Sequence, residues 1–272
     1  MQKPWFYGKN ILISGASSGI GFNLAKLFVT KYGAHVCGLA RREERLIRAK
    51  EEIDAALYDS KHKGSFSYKV FDVASSWNKL KSELDSDGFK VDILINNAGI
   101  ILPFDRVENE SIDQIKAVFE TNFWAPVSAY KTFVEDLKEV RGAIVNISSS
   151  SALCPVVGQA AYSDSKAAIK SFTEVLAVEH KKQIYVACVC PGYTSTDLFK
   201  DRSKSKLING VSMPAEKMAR KIVHGLKKRK KLMAFGLDAH LMSGMYKVFP
   251  KSTPGLIASV LKSSKDDMFE KL

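Results

Sequence analysis

The chain has 272 residues, 46% of them hydrophobic and 26% charged, a size and balance suited to one α/β domain with a full core. No apolar stretch approaches the roughly 18 residues of a membrane-spanning helix, and the first nine residues lack a secretory apolar run, so a cytoplasmic protein is expected. The net charge of +12 gathers at Lys217, Arg220, Lys221 and the run KKRKK over 227–231; no motif that reads DNA or RNA accompanies it, so it is taken as a solvated helix end and not as a nucleic-acid surface.

Apolar runs of strand length fall at 10–14, 34–39, 66–71, 91–95, 142–148, 184–190 and 231–235. Helical spacing occupies 20–32, 42–59, 75–86, 111–138, 161–182 and 214–230 between them. Alternation of this kind with right-handed crossovers gives one doubly wound parallel sheet, an α/β fold with helices on both faces in three layers.

In chain order, the first motif is SGASSGIG at 14–21, set between the first strand and the first helix. Its glycines suit a phosphate cradle: Gly15 for a tight turn, Gly19 for backbone close to a pyrophosphate, Gly21 for helix against strand. Four serines, 148–151, follow the strand at 142–148, at the sheet edge where ligands of such folds bind. Tyr162 and Lys166, four apart on the next helix, share one face, and an ammonium beside a phenol favours the phenolate. Such a tyrosine can exchange a proton with a carbonyl or alcohol oxygen near neutral pH.

The four cysteines form no CxxC pair and no zinc-like grouping, so no metal is expected. Cys188 and Cys190, two apart, would share one strand face as reduced core thiols. Residues 193–213 form a polar loop, with Leu198, Phe199 and Leu207, long enough to act as a lid. The stretch 236–272 is apolar and basic; it closes over a pocket, packs on a second subunit, or lies on a membrane interface.

Taken together, these motifs resemble the short-chain dehydrogenase/reductase family along nearly all of residues 8–235. SGASSGIG is similar to the family's TGxxxGxG, with Ser14 in place of threonine; NNAG at 96–99, YSDSK at 162–166 and PGYTST at 191–196 match its other motifs in order. The resemblance implies a Rossmann-type domain over 1–235 with a C-terminal extension, 236–272, packed on it, on a partner subunit or on a membrane. It implies Tyr162 as general acid/base and Lys166 as the group that lowers its pKa and holds the nicotinamide ribose. Ser149 would polarise the reacting oxygen, with Ser148 and Ser150 kept open, and Asn122 would serve a proton relay.

Gly15, Ser17, Ser18, Gly19, Ile20 and Gly21 would hold the cofactor's phosphates and ribose. Asp72 and Val73 would meet the adenine, Asn97 and Gly99 the adenosine side, and Pro191, Gly192, Thr194 and Thr196 the carboxamide or pyrophosphate. The second strand ends in Arg41 and Arg42 with no carboxylate until Glu43, which favours NADP(H) over NAD(H) through a 2′-phosphate. The implied activity is interconversion of a ketone or aldehyde with an alcohol, on a lipid- or steroid-like substrate. A catalytically silent NADP(H)-binding sensor is the alternative, and a homodimer or homotetramer the expected assembly.

Overall fold

A computed structural model describes residues 3–58, 60–62, 64–198, 210, 212–264, 266 and 269–271. The first half alternates β1 (Asn10–Ser14), α1 (Gly19–Tyr32), β2 (His35–Ala40), α2 (Glu43–Tyr58), β3 (Ser65–Val70), α3 (Trp77–Ser86) and β4 (Ile93–Asn96). There follow α4 (Ile112–Phe119), α5 (Ala125–Glu139), β5 (Ala143–Ile147), α6 (Ala160–Glu179) and β6 (Tyr185–Pro191). The chain ends with the short β7 (Thr194–Ser195) and β8 (Met213–Pro214), then α7 (Ala215–Lys227), β9 (Leu232–Phe235), α8 (Leu237–Val248) and α9 (Thr253–Ser263).

Seven strands form one parallel sheet in the order β3-β2-β1-β4-β5-β6-β9. Every residue of β5 and β6 is buried, as central parallel strands covered on both faces must be. Alternation along β1 divides the core: Ile11 and Ile13 join Phe6 and Phe28 on one side, while Leu12 meets Trp77, Leu94 and Phe133 on the other. Each fully buried side chain of this size contributes about 1.5–3 kcal/mol relative to an exposed one. β1 passes to β2 on one side and lies against β4 on the other, so a crevice opens beyond their carboxyl ends.

The segment 111–138 is not one helix. A capping box at Ser111 and Gln114 starts α4, but a π turn over Glu120–Trp124 separates it from α5. The interruption coincides with Pro126, which has no N–H for the helical ladder. Asn122 stands in this widened turn.

Helix α7 buries Met218, Ala219, Ile222, Val223 and Leu226, and packs against α1. Its Lys217, Arg220 and Lys221, and all of 227–231, are exposed, with Arg229 stacked 4.8 Å over the Trp5 ring. The four cysteines are reduced and buried, and the Cys188 and Cys190 sulfurs lie 4.0 Å apart. Among the described residues no cluster of metal-ligating side chains occurs, and no helix is long and apolar enough to cross a membrane. β7 and β8 pair across the ends of the 193–213 loop; Phe199 and Leu207 lie outside the described residues.

Candidate active site

One cavity of about 530 Å³ sits at the carboxyl edge of the sheet, and every sequence-predicted site residue except Gly21 and Asn122 lines it. Its cofactor half is built on the β1–β4 crevice. The Ser14 hydroxyl accepts from the backbone N–H groups of Asn97 (3.0 Å) and Ala98 (3.1 Å), tying the two strands at the crevice floor. A hydroxyl is all this tie requires, so serine serves where the family usually has threonine. The Asn97 amide donates to the carbonyls of Ser14 and Gly15, fixing the glycine turn from below.

Gly15 takes φ +67°, and a Cβ at Gly21 would stand 2.3 Å from the Gly15 carbonyl oxygen. Those two positions hold helix, turn and strand closer than any side chain permits. Ser18 caps α1 without a side-chain hydrogen bond, which leaves the first N–H groups of the helix to an anionic ligand. Arg41 and Arg42 are exposed on the cavity rim after β2. Asp72 is also exposed there, its carboxylate accepting from the Ala74 N–H at 3.1 Å. This open cradle fits the pyrophosphate of a nicotinamide dinucleotide. Farther along the rim, Arg45 pairs with Asp197 at 2.5 Å, joining α2 to the segment after β7.

At the centre, Tyr162 and Lys166 are both buried on α6. Of the four serines, Ser149 is the one whose side chain acts on the Tyr162 phenol, drawing its pKa down. Ser148 is engaged elsewhere, donating to the Lys166 carbonyl at 2.7 Å. Burial is the larger influence on the phenol and raises its pKa, while Ser149 pulls the other way. Lys166 stands with Nζ 5.7 Å from the Tyr162 ring centroid and donates to the Ile147 carbonyl at 3.0 Å. Burial brings its ammonium down from the ordinary 10.5 to about 8.

Asn122 acts as a splice between elements. Its side chain accepts from the Ile100 N–H and donates to the Ile100 carbonyl, both at 2.9 Å, and donates to Ser165 at 3.0 Å. A Cβ at Gly99 would lie 3.2 Å from the Asn122 oxygen and 3.3 Å from Lys166 Nζ. The asparagine, the lysine and the strand-end glycine are therefore neighbours.

The remaining half of the cavity is apolar, walled by Phe104 and Val156 together with Met242, Ile257, Leu261 and Phe269 from the C-terminal segment. Phe269 packs edge-on against Phe104 at 4.8 Å, and Lys271 pairs with Asp105 at 2.9 Å, so the chain end is strapped over this half. Asp238 and Gln159 are among the cavity residues that the motifs did not single out. Asp238 accepts from the Tyr193 N–H at 2.6 Å, and a Cβ at Gly192 would fall 2.1 Å from its other oxygen, so the glycine lets α8 approach the loop after β6. Gln159 is the N-cap residue of α6, three residues before Tyr162.

A family model described as short chain dehydrogenase matches residues 9–207. The chain is 31% identical over 252 residues to 3-dehydrosphinganine reductase of Danio rerio, covering 88% of this chain and 74% of that one. It is 34% identical over 227 residues to 11-beta-hydroxysteroid dehydrogenase-like 2 of Arabidopsis thaliana, covering 80% and 70%. The solved structure of a 4-hydroxyisoleucine dehydrogenase complexed with NADH superposes with a TM-score of 0.72 at 28% identity, covering 84% of this chain and 96% of that one. Other chains of this fold have been solved with NADP. With its seven-stranded parallel sheet and glycine cradle, the chain belongs to the short-chain dehydrogenase/reductase family of oxidoreductases.

Proposed function

We propose that the protein is an NADP(H)-dependent oxidoreductase that interconverts a ketone or aldehyde with an alcohol on a hydrophobic, lipid- or steroid-like substrate. The observation that carries this reading is the buried Tyr162 beside Lys166, with Ser149 the serine that acts on its phenol, under a cavity whose far walls are apolar. A bound nicotinamide cofactor supplies the hydride. Arg41 and Arg42, with no carboxylate at the end of β2, supply the preference for a 2′-phosphate.

In the reducing direction the Ser149 hydroxyl donates to the substrate carbonyl and steadies the charge that develops on its oxygen. Tyr162, held neutral by burial, gives its proton to that oxygen as it becomes an alcohol. The Lys166 ammonium then faces a phenolate and stabilises it, and Asn122 keeps Ile100 and Ser165 in place around both. The similarity to a 3-dehydrosphinganine reductase and to an 11-beta-hydroxysteroid dehydrogenase-like protein agrees with the apolar walls.

The assembly fits a homodimer through exposed apolar residues of α4, the π turn and α6, Ile112, Trp124, Val175 and Val178. Leu237, Leu241, Val248 and Phe249, exposed with Lys247 and Lys251 among them, suit peripheral contact with an anionic membrane; co-sedimentation with anionic but not neutral vesicles is the expected result, and none with either refutes it. The function itself is tested by initial rates on long-chain and steroid ketones with NADPH and with NADH. Reduction of apolar ketones with NADPH preferred supports it. Tight NADPH binding with no turnover of any carbonyl would favour the silent sensor, and preference for small polar ketones would remove the substrate class.

A further inference from the structure

Three cavity-lining side chains have a polar atom with no partner among the described residues, Asp238 Oδ1, Gln159 Oε1 and Ser151 Oγ, and the last two belong to the segment that carries Ser149 and Tyr162. Both residues line the cavity and are buried, Gln159 to 2% exposure and Ser151 to 6%. The Gln159 amide cannot be turned around, because its Nε2 donates to the Leu102 carbonyl at 3.0 Å and a carbonyl only accepts. The free atom is therefore an acceptor. A glutamine placed for packing would satisfy both ends or reach water; this one is anchored at one end and left open at the other, inside the cavity.

Gln159 is the N-cap residue of α6, three residues before Tyr162, and it lines the same cavity as Tyr162 and Ser149. Ser151 lies in the turn 150–152, and its N–H donates to the Ser149 hydroxyl at 3.2 Å. Gln159 and Ser151 thus line one cavity with Tyr162, Ser149 and the apolar walls.

We infer that Gln159 and Ser151 form a subsite for a hydrogen-bond donor, and that the preferred substrate is an apolar-chain ketone carrying a hydroxyl or amino group close to its carbonyl. This rests on the reading of the cavity as a carbonyl-reducing site and narrows its substrate. Gln159 Oε1 accepts from the donor, and Ser151, able to give or accept, completes the bond on the other side. A plain ketone leaves both atoms buried and unpaired, so the site discriminates against it.

The test uses calorimetric titration of the full chain saturated with NADP⁺, where ketones bind without being reduced. The probes are a long-chain methyl ketone and, at the same chain length, its hydroxymethyl and aminomethyl counterparts. At least one donor-bearing ketone should bind about 10-fold or more tightly than the plain one. Gln159→Met should bring that ratio close to one, Ser151→Ala should reduce it, and NADPH titration checks that each variant retains its fold. The stronger of the two substituted ketones distinguishes a hydroxyl from an amine as the source of the donor. Equal binding of all three ketones by the wild type, binding of none, or a preference that survives Gln159→Met would overturn the subsite. Turnover is read separately: a donor-bearing ketone that binds with the predicted preference but is not reduced would refute the proposed reaction and leave the subsite standing.

Discussion

Lys166 keeps its ammonium in the interior, where burial brings its pKa from 10.5 to about 8. The unfolded chain holds that proton more tightly than the folded one, so the charge opposes folding at neutral pH. The difference between 10.5 and about 8, at ~1.36 kcal/mol per pH unit, costs about 3 kcal/mol. This cost is fully present below about pH 8 and fades as the pH rises toward the unfolded value, so the residue's effect on stability becomes more favourable with increasing pH. Lys166→Met removes the titration. It also strips the Ile147 carbonyl of its partner, but that loss is the same at every pH. Urea unfolding of both proteins without cofactor, at about pH 7 and about pH 9.5, isolates the charge: the wild type should gain about 2 kcal/mol on the variant between the two. A difference that stays constant within about 0.5 kcal/mol would refute the depressed pKa, and with it the picture of an ammonium held at a cost for use beside Tyr162.

Three further outcomes follow from contacts at the crevice and the strap. Ser14→Ala leaves the Asn97 and Ala98 N–H groups without their acceptor and should cost about 1–3 kcal/mol in denaturant unfolding, whereas Ser14→Thr should be near neutral; equal loss in both would mean the hydroxyl is not the tie. Gly21→Ala sets a Cβ 2.3 Å from the Gly15 carbonyl oxygen, so NADPH affinity measured by fluorescence titration should fall at least about 10-fold; retained affinity would contradict the cradle. Ending the chain after Ser264 removes Phe269 and Lys271, and should raise KM for apolar ketones several-fold while NADPH affinity holds; an unaltered KM would show the strap to be idle.

The sheet and the crevice were legible because buried parallel strands are nearly continuous apolar runs and the glycine cradle has fixed spacing. The π turn at Asn122 was hidden because the apolar pattern of 111–138 runs through it unbroken, and only Pro126 marks the place. The C-terminal segment was ambiguous for a different reason. Its apolar residues needed a partner, but Met242, Ile257 and Leu261 on the cavity, and Leu241 and Phe249 exposed, are sorted only by tertiary packing. The Tyr162 phenol shows a third limit: spacing revealed the lysine beside it, while the burial that outweighs other influences on it depends on the assembled core. Gln159 stands in plain view three residues before the tyrosine, but its open acceptor depends on where Leu102 turns its carbonyl.

The most direct measurement is NADPH consumption with a long-chain ketone by the wild type and by Tyr162→Phe, each first shown by titration to bind NADPH. If Tyr162 is the proton donor, the variant binds the cofactor as tightly as the wild type and loses about 100-fold or more in kcat. A variant that binds NADPH and reduces the ketone at the wild-type rate would contradict the account at its centre.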